Sequence, residues 1–186
     1  MRSRPLLLAL AVLAAACLPV PPGRAPRQAA PPDYDRALLE HLALEAANDA
    51  REAHGLPRLR PDASLTRSAR AHSADLARTG RLSHTGSDGS SAADRAARAG
   101  VRYRALGENL YRSTLYASGT RTVGPEGVVE TFDWIAPEDL ARDAAEAWLA
   151  SAGHRANFLN PAFRRAGTGV ALDGELRWIV TMDYAD

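Results

Sequence analysis

Two β-rich runs near the C-terminus, Ala166–Leu172 (AGTGVAL) and Glu175–Tyr184 (ELRWIVTMDY), flank the dipeptide Asp173-Gly174. That dipeptide between apolar runs is a strong signal for a two-residue hairpin loop, so the runs are expected to pair antiparallel. Most of what precedes them has helical periodicity. Helices followed by an antiparallel hairpin imply an α+β fold, a central antiparallel sheet flanked by helices.

Folded structure is expected to begin at Asp33, which can cap a helix carrying Leu38, Leu39, Leu42, Ala46, Ala50 and Ala53 at helical spacing; Gly55 and Pro57 end it. A second helix follows Pro61, capped by Asp62, with Leu65, Ala69, His72 and Leu76 along one face and Gly80 closing it. Ser91 with Asp94 reads as a capping box opening a short helix that ends at Gly100. Residues 104–113 (RALGENLYRS) read as extended. Residues 114–137 read as a long loop or hairpin, with a short strand over Val128–Phe132. Pro137, Glu138 and Asp139 open a further helix, with Leu140, Ala144, Trp148 and Ser151 on one face and Gly153 as its stop.

The N-terminus reads as a targeting segment. Arg2 and Arg4 precede PLLLALAVLAAA, an apolar stretch too short to span a bilayer comfortably. Cys17, the only cysteine, follows it, in the manner of a bacterial lipoprotein signal whose cysteine is acylated; ordinary secretory cleavage near Ala16 is the alternative. Residues 1–17 are thus expected to be a signal peptide, residues 18–32 a Pro/Ala-rich tether and residues 33–186 the folded domain. With one cysteine, no disulfide forms within the chain. Removing Arg2 and Arg4 takes the formal net charge from +1 to −1, which leaves no basic field and argues against nucleic acid as a partner. All basic residues are arginine, which together with the many alanines reads as compositional bias.

Three pieces carry polar residues that a packed core does not ask for: SHTG with His84, GENL with Glu108 and Asn109, and SAGHRANFLNP with His154. A glutamate in an apolar extended run needs solvent, a cation or a metal. Two imidazoles and one carboxylate are a recognised zinc set with water in the fourth position. Sequence spacing alone does not bring the three together, and a lone loop histidine is ordinarily solvated.

These pieces, with EAANDAREAHGLPRLRPDASLTRSARAHSADLA, RAARAGVRYRALGENLYRS and RWIVTMDY, resemble in content and order the CAP superfamily of cysteine-rich secretory proteins, antigen 5 and pathogenesis-related proteins. The resemblance covers most of the chain after the leader. It implies an α-β-α sandwich with an open cleft, and makes residues 114–137 an insertion. In the family, two histidines and two acidic residues line that cleft and can hold a divalent metal. Carried over, His84, Glu108 and His154 are three of the four. The family's second acid lies three residues after a helical tryptophan, where this chain has Ser151 after Trp148. One anionic ligand fewer implies weak binding of Zn2+ or another divalent metal. Ser151 and Asn109 are then cleft-supporting residues, and Asn157 a loop-fixing hydrogen bonder. His72, on an apolar helical face, is expected to be a satisfied, partly buried histidine. His41 and His54 are expected on the surface, Glu146 pointing away from Trp148, and Trp148, Trp178 and Phe158 in the core.

The leader implies export, with membrane contact through Cys17, and the resemblance implies a monomeric envelope protein that binds a lipid, a protein or a cell-wall component. No serine sits in a nucleophile elbow and Cys17 belongs to the leader, so a binding module is favoured over an enzyme. The rival is a metal-assisted hydrolase of peptide or cell-wall material, with Glu108 as ligand or general base.

Overall fold

The structure is a computed structural model that describes residues 31–125 and 127–186. The targeting segment, Cys17 and nearly all of the tether lie outside the described residues. Five helices and six strands follow in the order α1 (Arg36–Ala53), β1 (Arg60–Pro61), α2 (Ala63–Thr79), α3 (Ala92–Arg98), β2 (Leu106–Thr114), β3 (Tyr116–Gly124), β4 (Gly127–Trp134), α4 (Pro137–Ala150), α5 (Ala152–Phe158), β5 (Arg165–Leu172) and β6 (Arg177–Ala185). Among the described residues, no helix is long and apolar enough to cross a membrane.

The local signals act where the chemistry places them. Asp62 accepts from the amides of Ser64 and Leu65 and so starts α2, which Gly80 ends in the left-handed conformation. Ser91 and Asp94 form a reciprocal capping box on α3. The first cap is Asp35 and not Asp33: its carboxylate accepts from Ala37 and Leu38.

The main sheet has the order β1-β5-β6-β2. β6 pairs antiparallel with β5 and with β2, but β1, a two-residue bridge between α1 and α2, runs parallel to β5. The expected sheet is therefore mixed at one edge. The β5–β6 connection is also longer than two residues. The amide of Asp173 donates to the carbonyl of Arg177, the Asp173 carboxylate accepts from the amides of Glu175 and Arg177, and Leu176 takes φ +57°. A carboxylate that caps its own turn competes with the tight Asp-Gly loop.

Side-chain parity divides the sheet into two faces. Trp178, Val180, Met182 and Tyr184 join Leu39, Ala47, Trp148 and Phe158 in the larger core under α1 and α4. Ile179 packs with Leu76 and Leu110 on the opposite face, under α2. α2 lies so close that a Cβ at Gly167 or Gly169 would fall 2.1 Å from the backbone nitrogen of Thr66 or Arg70. The result is the sandwich of helices about a sheet. Residues 116–134 form a separate two-stranded hairpin, β3 with β4.

α4 does not run on to Gly153. It ends at Ser151, whose extended backbone (φ −89°, ψ 120°) also starts α5, and Gly153 lies inside α5. That break turns α5 toward β2, the free edge of the sheet, where the candidate site forms.

Candidate functional site

Three elements bring the site together. His84 is on the loop after α2, Glu108 on β2 and His154 on α5. They line one open cleft of about 500 Å3 with Ser151 and Asn157, while Gly107, Gly153 and Ala92 supply small walls. The His84 and His154 rings face each other with centroids 6.5 Å apart.

Glu108 and Asn109 are neighbours on a strand and so point to opposite faces. Asn109 is fully buried on the α5 side. Its amide donates to the carbonyl of His154 at 3.0 Å and to the Tyr184 hydroxyl, and its oxygen accepts from Asn157. Asn157 is bound to Asn109 and also donates to the carbonyl of Glu108. These bonds hold α5, and hence His154, against β2. Ser151 is half-buried at the α4–α5 junction and its hydroxyl caps neither helix.

Glu108 points the other way and is only 6% exposed. One oxygen accepts from Nη2 of Arg95 at 2.5 Å, the other from Nδ1 of His84 at 2.8 Å. Arg95, itself buried on α3, also donates to the carbonyls of Ser90 and His84, so it ties the loop to Glu108. Burial raises the Glu108 carboxyl, but the His84 hydrogen bond and the Arg95 charge outweigh it and hold the group below its ordinary range. The same hydrogen bond raises His84, whereas burial and the charge of His84 lower His154. The cleft thus sets a ring whose proton affinity is raised against one whose proton affinity is lowered.

His72 is more buried than the sequence suggests, at 1% exposure. Its Nε2 donates to the carbonyl of Ser83 at 2.9 Å and lies 3.9 Å from Glu108, while Nδ1 has no partner. Burial lowers it, so it stays neutral behind the site. His41 and His54 are on the surface, and Glu146 is exposed away from Trp148.

Two members of the site were not singled out in the sequence, Arg95 and Asp183. Asp183 stands opposite Glu108 across the β2–β6 ladder, is 1% exposed, and neither of its oxygens has a partner. The alternation of Ile179, Thr181 and Asp183 along β6 was the available signal for which face Asp183 takes.

For a divalent metal, the residues divide into two kinds. Both oxygens of Glu108 are engaged, and among the described residues no group of three or more His, Cys, Asp and Glu side chains is disposed to hold a metal ion. Glu108 is instead placed as the carboxylate behind a ligating histidine, fixing the His84 tautomer with its proton on Nδ1 and Nε2 free. His84 and His154 are the side chains that could each offer a ring nitrogen to a metal.

The sequence from residue 44 to residue 184 matches the model of the cysteine-rich secretory protein family, CAP. The chain belongs to that family. The protein YkwD of Bacillus subtilis is 32% identical to this CAP chain over 140 residues, which are 75% of this chain and 45% of YkwD. An extracellular protein containing an SCP domain from Bacillus anthracis superposes with a TM-score of 0.61 at 23% identity, over 81% of this chain and 41% of that one. An outer surface protein from Borrelia burgdorferi superposes with a TM-score of 0.62 at 15% identity, over 81% of this chain and 94% of that one. The two solved structures support the CAP fold. The chain spans less than half the length of YkwD and of the B. anthracis protein.

Proposed function

We propose that this CAP domain is an exported binding module of the cell envelope, whose cleft takes a polar ligand, a protein segment or a cell-wall component, between His84 and His154. The observation that carries this reading is the opposed pair of rings. Glu108 raises the proton affinity of His84, so its Nε2 becomes a donor on protonation more readily than His154, which burial keeps an acceptor. A group that both accepts and donates, such as an amide or a hydroxyl, satisfies both. An acyl chain satisfies neither and would strand them. Export is supported by the leader sequence and by the extracellular B. anthracis relative. A lipid anchor at Cys17 belongs to the same proposal, since acylation there would hold the domain at a membrane by the tether. A metal, held by His84 and His154 with Glu108 behind, would occupy the same cleft weakly.

The test follows the imidazole signals of both histidines in the mature protein during titration with short neutral peptides, soluble cell-wall fragments and phosphatidylcholine vesicles. Peptides or wall fragments are expected to shift both rings, and His154→Ala to remove the response. Binding to vesicles alone would overturn the reading, and chelator-sensitive cleavage of peptide or wall material would replace it with the metal-assisted hydrolase. Mass spectrometry of the native N-terminus tests the anchor. A mature chain that starts elsewhere than Cys17 and carries no lipid rejects it.

A further inference from the structure

α1 and α4 leave a groove of about 420 Å3 between them on their outer side. Half-buried Leu42, Ala46, Ala50 and Leu149 give it an apolar floor. Leu38, one turn before Leu42 on α1, carries the apolar line on toward the helix start and is 41% exposed. The rim is acidic: Glu45, Asp49, Glu138 and Glu146 stand with one arginine, Arg142. Arg142 is paired with Asp139, and a single Arg58 is shared by Glu45, Asp49 and Glu52. The carboxylates thus outnumber the cations that serve them, and the groove suits an apolar segment that carries positive charge.

The groove opens where the described chain begins. The Tyr34 hydroxyl donates to the carbonyls of Leu115 and, at 2.9 Å, of Ile135, just before α4. α1 and α4 therefore start at the same end, and the chain that precedes Tyr34 arrives at the head of their groove. Residues 18–30 match it chemically. They carry Arg24 and Arg27, four prolines and no acidic residue. A proline-rich chain advances about 3.1 Å per residue and α1 is about 27 Å long, so about nine residues cover it. Counted back from Pro31, Arg27 falls about 12 Å along the groove, level with Glu45 and Glu146, and Arg24 about 22 Å along, near Asp49. Proline restricts the backbone beforehand, so docking costs little entropy. One exposed ion pair is weak, but a segment joined to its own groove is present at about millimolar effective concentration.

We infer that the α1–α4 groove is the docking site of this chain's own residues 22–30, with Arg24 and Arg27 on the acidic rim and the prolines and alanines on the floor. Docking shortens the free span between Cys17 and the domain. With Cys17 acylated, it holds the domain close to the membrane. That consequence rests on the anchor proposed above, whereas the docking does not.

The test uses the mature chain without lipid, carrying Cys17→Ser and Ala25→Cys, with a nitroxide on the new thiol. The amide signals of Leu42, Ala46 and Leu149 are followed in 1H–15N spectra with the label oxidised and then reduced. They are expected to be lost with the oxidised label and to return on reduction. Arg24→Glu with Arg27→Glu should keep them visible throughout. Adding Asp49→Arg with Glu146→Arg should lose them again, and both of these positions are exposed, so the core is not disturbed. Loss confined to the residues beside Tyr34 would overturn the proposal. So would a loss at Leu42 and Ala46 that the arginine reversals leave unchanged. Loss that fades when labelled chain is diluted with unlabelled chain would assign the groove to the segment of a second copy and overturn it too. Groove signals that respond to phosphatidylcholine vesicles and not to the label would make this face a membrane contact in its place.

Discussion

Glu108 and Asp183 stand directly opposite each other on β2 and β6, two buried carboxylates on one face served by a single buried arginine. Arg95 binds Glu108, and neither oxygen of Asp183 has a hydrogen bond. Burial and the Glu108 charge push the Asp183 carboxyl up to about 7. The pair therefore keeps a proton at pH values where an ordinary aspartate has lost it.

A stability profile follows from the sign of that shift. Asp183 is an acid whose folded value lies above its unfolded value of about 3.9, so the folded state binds the proton more tightly. Stability falls as pH rises from about 4 to about 7 and then levels off with respect to this group. His84, also raised, adds a loss as pH rises above about 6.5. Asp183→Asn resembles the protonated form and should flatten the first part of the profile. Thermal melts of both proteins from about pH 4 to about pH 8 check it. Parallel profiles would show that Asp183 is charged throughout.

Arg95 is the only cation that neutralises Glu108 among the described residues whose charge does not depend on a histidine proton. Arg95→Met leaves a buried carboxylate with only His84 and His72 beside it and costs about 3–5 kcal/mol. Adding Glu108→Gln should recover a large part, because the stranded charge is gone. Denaturant melts of the two single variants and the double variant give the coupling. Simple additivity would mean that the two side chains do not act as a pair.

Much of this arrangement was legible in the sequence because it is local. Asp62, Ser91 with Asp94, and the helical face of Leu65, Ala69, His72 and Leu76 act through neighbours a turn away. His84, Glu108 and His154 stood out as polar residues in unexpected surroundings, and the family's order of motifs brought them together. Where neighbours compete, the reading slipped. Two aspartates stand near the first cap, and the second one takes it. Asp173 caps its own turn and lengthens the hairpin. Gly153, read as a stop, follows a break that Ser151 has already made. Arg95 and Asp183 were not legible because their roles depend on the β2–β6 register and on how α3 lies over the sheet. No local pattern encodes either, and an arginine among alanines looks like a solvated face.

Two glycines with opposite surroundings give a contrast in packing. A Cβ at Gly169 would lie 2.1 Å from the backbone nitrogen of Arg70, so Gly169→Ala must push α2 off the sheet. Overpacking of this kind costs about 1–3 kcal/mol or more. Gly153 has open space and ordinary helical φ within α5, so Gly153→Ala should stabilise by about 0.4–1 kcal/mol. Melting temperatures that move in opposite directions confirm the close α2–β5 approach. A neutral Gly169→Ala would refute it.

The two-histidine cleft makes a sharper prediction for zinc. His84 offers Nε2 because Glu108 holds its Nδ1 proton, and His154 faces it across the cleft. Two protein ligands give weaker binding than the three of ordinary catalytic zinc sites. His84→Ala and His154→Ala should each abolish the heat of zinc binding in titration calorimetry, because one remaining imidazole is not a site. Glu108 touches the ring and not the metal in this arrangement, so Glu108→Gln should weaken binding by about 10–100-fold without abolishing it. His72 has its Nε2 on Ser83 and is closed to the cleft, so His72→Gln should leave the heat unchanged. Complete loss in Glu108→Gln with folding intact would make the carboxylate a direct ligand. Undiminished heat in either His84→Ala or His154→Ala would place the metal outside this cleft.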